Sequence, residues 1–165
     1  MTKTTRHQQR KWALQILYSI DLKNKFNLEK AEKECENLKE RNKLLENNYY
    51  FEELIFGIVK NKESLDNYID KKAVDWSINR MAVIDRNILR MALFEMEEEL
   101  VPVGVAINEA VELAKEYGDN NSSGFINGIL ARAWFFILFI VKFVIRNKVT
   151  FFTNRYKLIL SRGGV

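Results

Sequence analysis

The residues best suited to chemistry stand at the start of the chain, where Lys3, Arg6, His7, Arg10 and Lys11 all precede the first acidic residue, Asp21. On a helix turning 100° per residue they share an arc of about 140° with Leu14 and Tyr18. Cationic side chains and an aromatic ring on one face suit a polyanion. Basic residues at a helix N-terminus also oppose the helix macrodipole, a repulsion that a bound polyanion relieves. The same pattern equally suits a solvated helix start whose Tyr18 packs in the core.

Catalytic chemistry has no comparable constellation. His7 is the only histidine and Cys35 the only cysteine, too few for a zinc site and without a triad partner nearby in sequence. No glycine-rich phosphate loop of the Walker or dinucleotide type follows a strand. Glu97, Glu98 and Glu99 form a charge run before Pro102 and read as solvated. Asn108 and Glu109 interrupt an apolar helix, where a hydrogen-bonded structural role is the commoner reason. Cys35 reads as a small buried apolar group. The sequence therefore points to a binding protein with no catalytic residue, no metal and no cofactor.

The elements that must position these residues are helices. The chain has 165 residues, seven glycines and one proline, so turn material is scarce and the length suits one domain with a real core. Ala13, Ile16, Leu17 and Ile20 form the apolar stripe of a first helix beginning near Arg6. Asn27–Glu46 reads as a second helix with a narrow seam, interrupted by Asn42. Tyr49–Asp70 reads as a third with one wide buried face, Trp76 and Ile78 lie in a shorter element, and Met81–Glu97 is apolar on more than one side. Asp85, Arg86 and Arg90 on that helix are expected to pair locally. The centre of the fold is expected at Val103–Leu130. There Pro102 opens one helix, Gly118 ends it in a left-handed conformation, and Ser122 or Ser123 caps the next. Gly128 is expected where another helix crosses closely.

Charge is divided into blocks. Between Trp12 and Ala131 stand 15 basic residues against all 22 acidic ones, while no acidic residue follows Asp119. A polyanion is thus sought at the ends of the chain. The basic N-terminus leads into an amphipathic segment rather than an apolar run, so a signal peptide is not expected. Beyond Ala133, Trp134–Ile145 is apolar all round but shorter than the roughly 20 residues of a membrane span.

Three stretches in order, Ile84–Glu95, Val105–Lys115 and Phe125–Leu130, preceded by the basic helix Arg6–Tyr18, resemble the NusB family of bacterial transcription antitermination factors. The resemblance covers about Arg6 to Ala133 and implies an all-α, compact bundle of about seven helices in two three- to four-helix halves. It implies a cytoplasmic RNA-binding adaptor, which holds the boxA element of nascent rRNA transcripts together with ribosomal protein NusE. Other Nus factors and RNA polymerase are engaged indirectly, and both monomers and homodimers fit. By resemblance Arg6, His7, Arg10, Lys11, Tyr18 and Phe125 belong to the RNA side, and Tyr18 and Asp85 to the partner side. His7 and Gln8 stand where the family often has further arginines. Residues 1–133 are expected to form the domain and 134–165 an appendage. Two other readings stay open: a domain related to that of rRNA cytosine methyltransferases, and a membrane-associated protein acting through Trp134–Ile145.

Overall fold

The computed structural model describes residues 4–42, 45, 49–73 and 76–135. Most of Trp134–Ile145, to which the appendage and membrane readings apply, lies outside them. Among the described residues there are seven α-helices and no strand: α1 Arg6–Leu22, α2 Leu28–Arg41, α3 Tyr50–Lys60, α4 Lys62–Lys72, α5 Val83–Glu97, α6 Val103–Tyr117 and α7, residues 122–135. A short 3-10 turn, Ile78–Arg80, precedes α5. Contacts divide the chain into Met1–Ala131 and Arg132–Val165. Of the second unit only residues 132–135 are described, and these are helical.

Helix ends follow local hydrogen bonding. Thr5 caps α1 through a 3.2 Å bond accepted from the Gln8 N–H, and Asn27 caps α2 through a 2.9 Å bond from Lys30 N–H. The second helix stops at Arg41 with Asn42 as its cap, short of the expected Glu46. The single helix expected over Tyr49–Asp70 is two, broken at Asn61. The Asn61 amide donates to the Gly57 carbonyl at 2.9 Å and its own carbonyl accepts from Ser64 Oγ at 2.8 Å. An asparagine that bonds nearby backbone competes with the helix ladder, and the chain turns there.

The α6–α7 corner forms as a helix, a turn and a helix, but not by the expected devices. Gly118 is extended, with φ −86° and ψ −174°, so left-handedness is not why glycine stands there. A Cβ would collide with the Ser122 side chain and lie 2.7 Å from the Ala114 carbonyl. The cap of α7 is Asp119 rather than a serine: its carboxylate accepts from the N–H groups of Asn121 at 2.8 Å and Ser122 at 3.0 Å.

Gly128 is a second correction. It is exposed, and among the described residues nothing lies within 4 Å of a Cβ built on it, so none of the described helices crosses there. The crossing glycine is Gly57 on α3, whose Cβ would enter the Phe94 ring of α5. The two sites predict opposite signs in equilibrium unfolding. Gly128→Ala should gain about 0.5–1 kcal/mol through backbone entropy, whereas Gly57→Leu should lose about 1–3 kcal/mol through overpacking. Equal effects at both sites would refute this assignment.

Among α1 to α6, α5 is the most fully buried helix. It packs against α1, α3, α4 and α6 and is buried on almost every side, from Asp85 to Met96. Its apolar residues, Ile88, Leu89 and Leu93 among them, meet a core that includes Leu14, Leu17, Phe51, Leu54, Ile55, Ile58, Leu65, Ile69, Leu113 and Ile126. Arg86 and Arg90 do not pair with their helix neighbour Asp85. Both reach Asp21 on α1: Arg86 Nε and Nη2 at 2.7 and 2.8 Å, Arg90 Nη1 at 2.7 Å. Arg90 also donates to both oxygens of Asp66 on α4, at 2.6 and 2.9 Å, and Asn87 donates to Asp21 at 2.9 Å. A polar knot thereby ties α1, α4 and α5 together inside the fold.

Candidate nucleic-acid interface

The basic residues of α1 lie along α5 and α6, and most already have anionic neighbours. Arg6 is exposed; its guanidinium donates to the Leu100 carbonyl at 3.3 Å and sits 4.9 Å above the Tyr50 ring. Half-buried His7 places Nδ1 2.7 Å from Glu109 Oε2. Lys11 Nζ lies 2.5 Å from Glu116 Oε1 and 5.6 Å from the Tyr117 ring centre. The Glu116 hydrogen bond is the largest of the effects holding the Lys11 ammonium above its ordinary pKa.

Arg10 is the residue the structure places differently from the cationic arc. Only 2% exposed, it donates to Glu95 Oε1 at 2.8 Å and to the Tyr50 hydroxyl at 3.0 Å, with Nη1 3.4 Å from Glu109. Tyr50 donates its own proton to Glu95. Burial raises Glu95 above the usual carboxylate range although the Arg10 charge and these hydrogen bonds pull it down. Arg10 thus pins the start of α1 to α3 and α5 and presents almost no surface to solvent.

Tyr18 is 38% exposed. It lines an apolar groove of about 460 Å³ with Lys11, Leu14, Ala82, Val83, Ile84 and Tyr117, which puts Tyr18 and Lys11 together. Phe125 and Asp85 belong to a different cavity, about 370 Å³, with Trp76, Arg80 and Asn121 on its walls. The Trp76 and Phe125 rings meet edge to face at 6.2 Å, and the Arg80 guanidinium stands 5.9 Å from the Trp76 ring centre. Asp85 is 7% exposed and its Oδ1 has no hydrogen-bond partner among the described residues. Burial, followed by the opposing Ser122 hydroxyl and the reinforcing Asp119 charge, leaves its carboxyl above the usual range.

Tyr50, Glu95, Glu116 and Arg80 carry no signal of this role in the sequence. The partners of Tyr50, Glu95 and Glu116 stand 40 to 105 residues away, so no local spacing exposes them, while Arg80 lies four residues from Trp76 but on a 3-10 turn that no helical periodicity marks. Cys35 is buried and its thiol is pushed up to about 12, chiefly by burial. Among the described residues no group of three or more His, Cys, Asp or Glu could hold a metal ion, and no helix is long and apolar enough to cross a membrane.

A family model described as the NusB family matches residues 7–134. The chain belongs to the NusB family. The transcription antitermination protein NusB of Halothermothrix orenii is 55% identical over 131 residues, covering 79% of this chain and 97% of that protein. A solved NusB from T. maritima superposes with a TM-score of 0.67 at 33% identity, covering 79% of this chain and 91% of that one. A structure described as antitermination factors NusB and NusE in complex with dsRNA gives a TM-score of 0.63 at 26% identity, over 78% of this chain and 96% of the other. The all-α architecture is therefore that of NusB. Every candidate residue except Arg6 lies inside the matched range.

Proposed function

We propose that this NusB-family chain is a cytoplasmic, non-catalytic RNA-binding antitermination factor that holds boxA-type RNA together with ribosomal protein NusE and supports rRNA transcription. The observation that carries the reading is the family match over residues 7–134, supported by likeness to a NusB–NusE pair holding RNA. Residues 1–133 are the RNA-binding domain in this reading, and 134–165 are an appendage to it. The exposed part of the α1 face, Arg6 with His7 and Lys11 beside it, takes the phosphates; Arg10 holds that helix in place. Phe125 belongs to the RNA surface, Asp85 to the NusE surface and Tyr18 to both. Other Nus factors and RNA polymerase are reached through these partners.

Arg6→Ala combined with Lys11→Ala should weaken RNA binding and reduce the slope of log affinity against log salt by about two, near one for each phosphate no longer neutralised. Titrating a labelled boxA-type oligoribonucleotide at several salt concentrations reads both quantities. An unchanged affinity and slope would move the phosphate site away from α1.

A further inference from the structure

The cationic face of α1 is not a bare positive surface, because α6 lays carboxylates against it. Lys11 is held by Glu116 at 2.5 Å, and His7 by Glu109 at 2.7 Å, which also stands 3.4 Å from Arg10. With Glu95 on Arg10, three carboxylates face Arg10, Lys11 and His7. A phosphate needs the same donors that these oxygens occupy.

We propose that Glu116, with Glu109 beside it, acts as an internal stand-in for phosphate: it holds Lys11 until RNA arrives and must be displaced for RNA to bind, so it sets RNA affinity. This inference rests on the reading that α1 contacts RNA. The geometry permits exchange at Glu116 in particular. Its side chain is 43% exposed and Lys11's is 22% exposed, so a ligand reaches the pair from solvent. Glu95, by contrast, is 2% exposed and stays with Arg10. The mutual pull is visible in both partners, since the hydrogen bond from Lys11 is the largest effect on Glu116 and lowers its carboxyl. The Tyr117 ring next to Lys11 keeps the ammonium on this face when the carboxylate is released.

The test is a double-variant cycle read as affinity for a labelled boxA-type oligoribonucleotide, using full-length chains and no partner protein. Glu116→Gln should tighten binding about threefold, since exposed ion pairs hold their partners by factors of up to about five. The gain should vanish in the Lys11→Gln background. Glu112→Gln is the control: Glu112 lies on the same helix and pairs with Lys115 at 2.7 Å, and its replacement removes the same charge but should change affinity less. A Glu116→Gln gain that persists without Lys11, or one matched by Glu112→Gln, would show general charge repulsion and overturn the displacement. If Lys11→Gln itself leaves affinity unchanged, the α1 reading fails at this residue and the inference falls with it. A weakened Lys11→Gln with an unaltered Glu116→Gln keeps the α1 reading and rejects only the stand-in role.

Discussion

Arg90→Ala lowers the free energy of unfolding by about 3–5 kcal/mol, because it removes the buried guanidinium that Asp21 and Asp66 share and, among the described residues, leaves Asp21 only Arg86 and Asn87, and Asp66 only the half-exposed Lys62. The Arg90 side chain is 3% exposed and bonds Asp21, Asp66 and Asn87 at once. Against a total stability of about 5–15 kcal/mol, the variant approaches the threshold of folding. Arg86→Ala serves as comparison. Its side chain is 16% exposed and Asp21 keeps Arg90 and Asn87, so about 1–3 kcal/mol is expected. Denaturant unfolding followed by far-ultraviolet circular dichroism measures both. Similar losses in the two variants would contradict the hub role of Arg90.

The same knot carries a pH signature. Burial pushes the Asp21 carboxyl up, but hydrogen bonds from Arg86 and Arg90 and their charges outweigh it, leaving the group below its ordinary value of 3.8. A carboxylate depressed in the folded state contributes stability above its unfolded pKa and loses it as pH falls through the folded one. Stability should therefore decline below about pH 4 in the parent, and Asp21→Asn should flatten that acid limb.

Arg10→Ala is the second large effect, again about 3–5 kcal/mol by the same reasoning. It leaves Glu95, with a side chain 2% exposed, held by the Tyr50 hydroxyl without the guanidinium that balanced its charge. Glu95 already lies above 4.5 through burial, and losing Arg10 raises it further. A raised carboxyl costs stability as pH climbs from the unfolded value toward the folded one, so the Arg10→Ala deficit should widen above about pH 4.5. Adding Glu95→Gln should remove that pH dependence and recover part of the stability. A variant as stable as the parent would return Arg10 to the surface, where the cationic arc of the sequence puts it.

That contrast shows what the sequence carries. Helix α6 runs from Val103 to Tyr117, the limits its apolar spacing and flanking Pro102 and Gly118 give, because those signals are local. The start of α1 at Arg6 is legible for the same reason. The partners of its charges are not: Glu95, Glu109 and Glu116 lie about 85 to 105 positions downstream, and an arc of cations looks alike whether it faces water or carboxylates. Glycines pose the same problem, since Gly57 and Gly128 each sit inside an apolar helical pattern and only the neighbouring helix distinguishes them. Asp21 marks the end of a basic block in the sequence; in the fold it is the anion that Arg86, Asn87 and Arg90 share.

The central claim, that this NusB-family chain holds boxA-type RNA jointly with NusE, is tested most directly by titrating labelled boxA RNA with the full-length chain, with and without NusE. The reciprocal coupling between two ligands of one protein is typically about 5–150-fold. NusE is expected to tighten RNA binding within that range, and a scrambled RNA to show no such gain. Equal affinity with and without NusE, or an equal gain for the scrambled RNA, would contradict the claim.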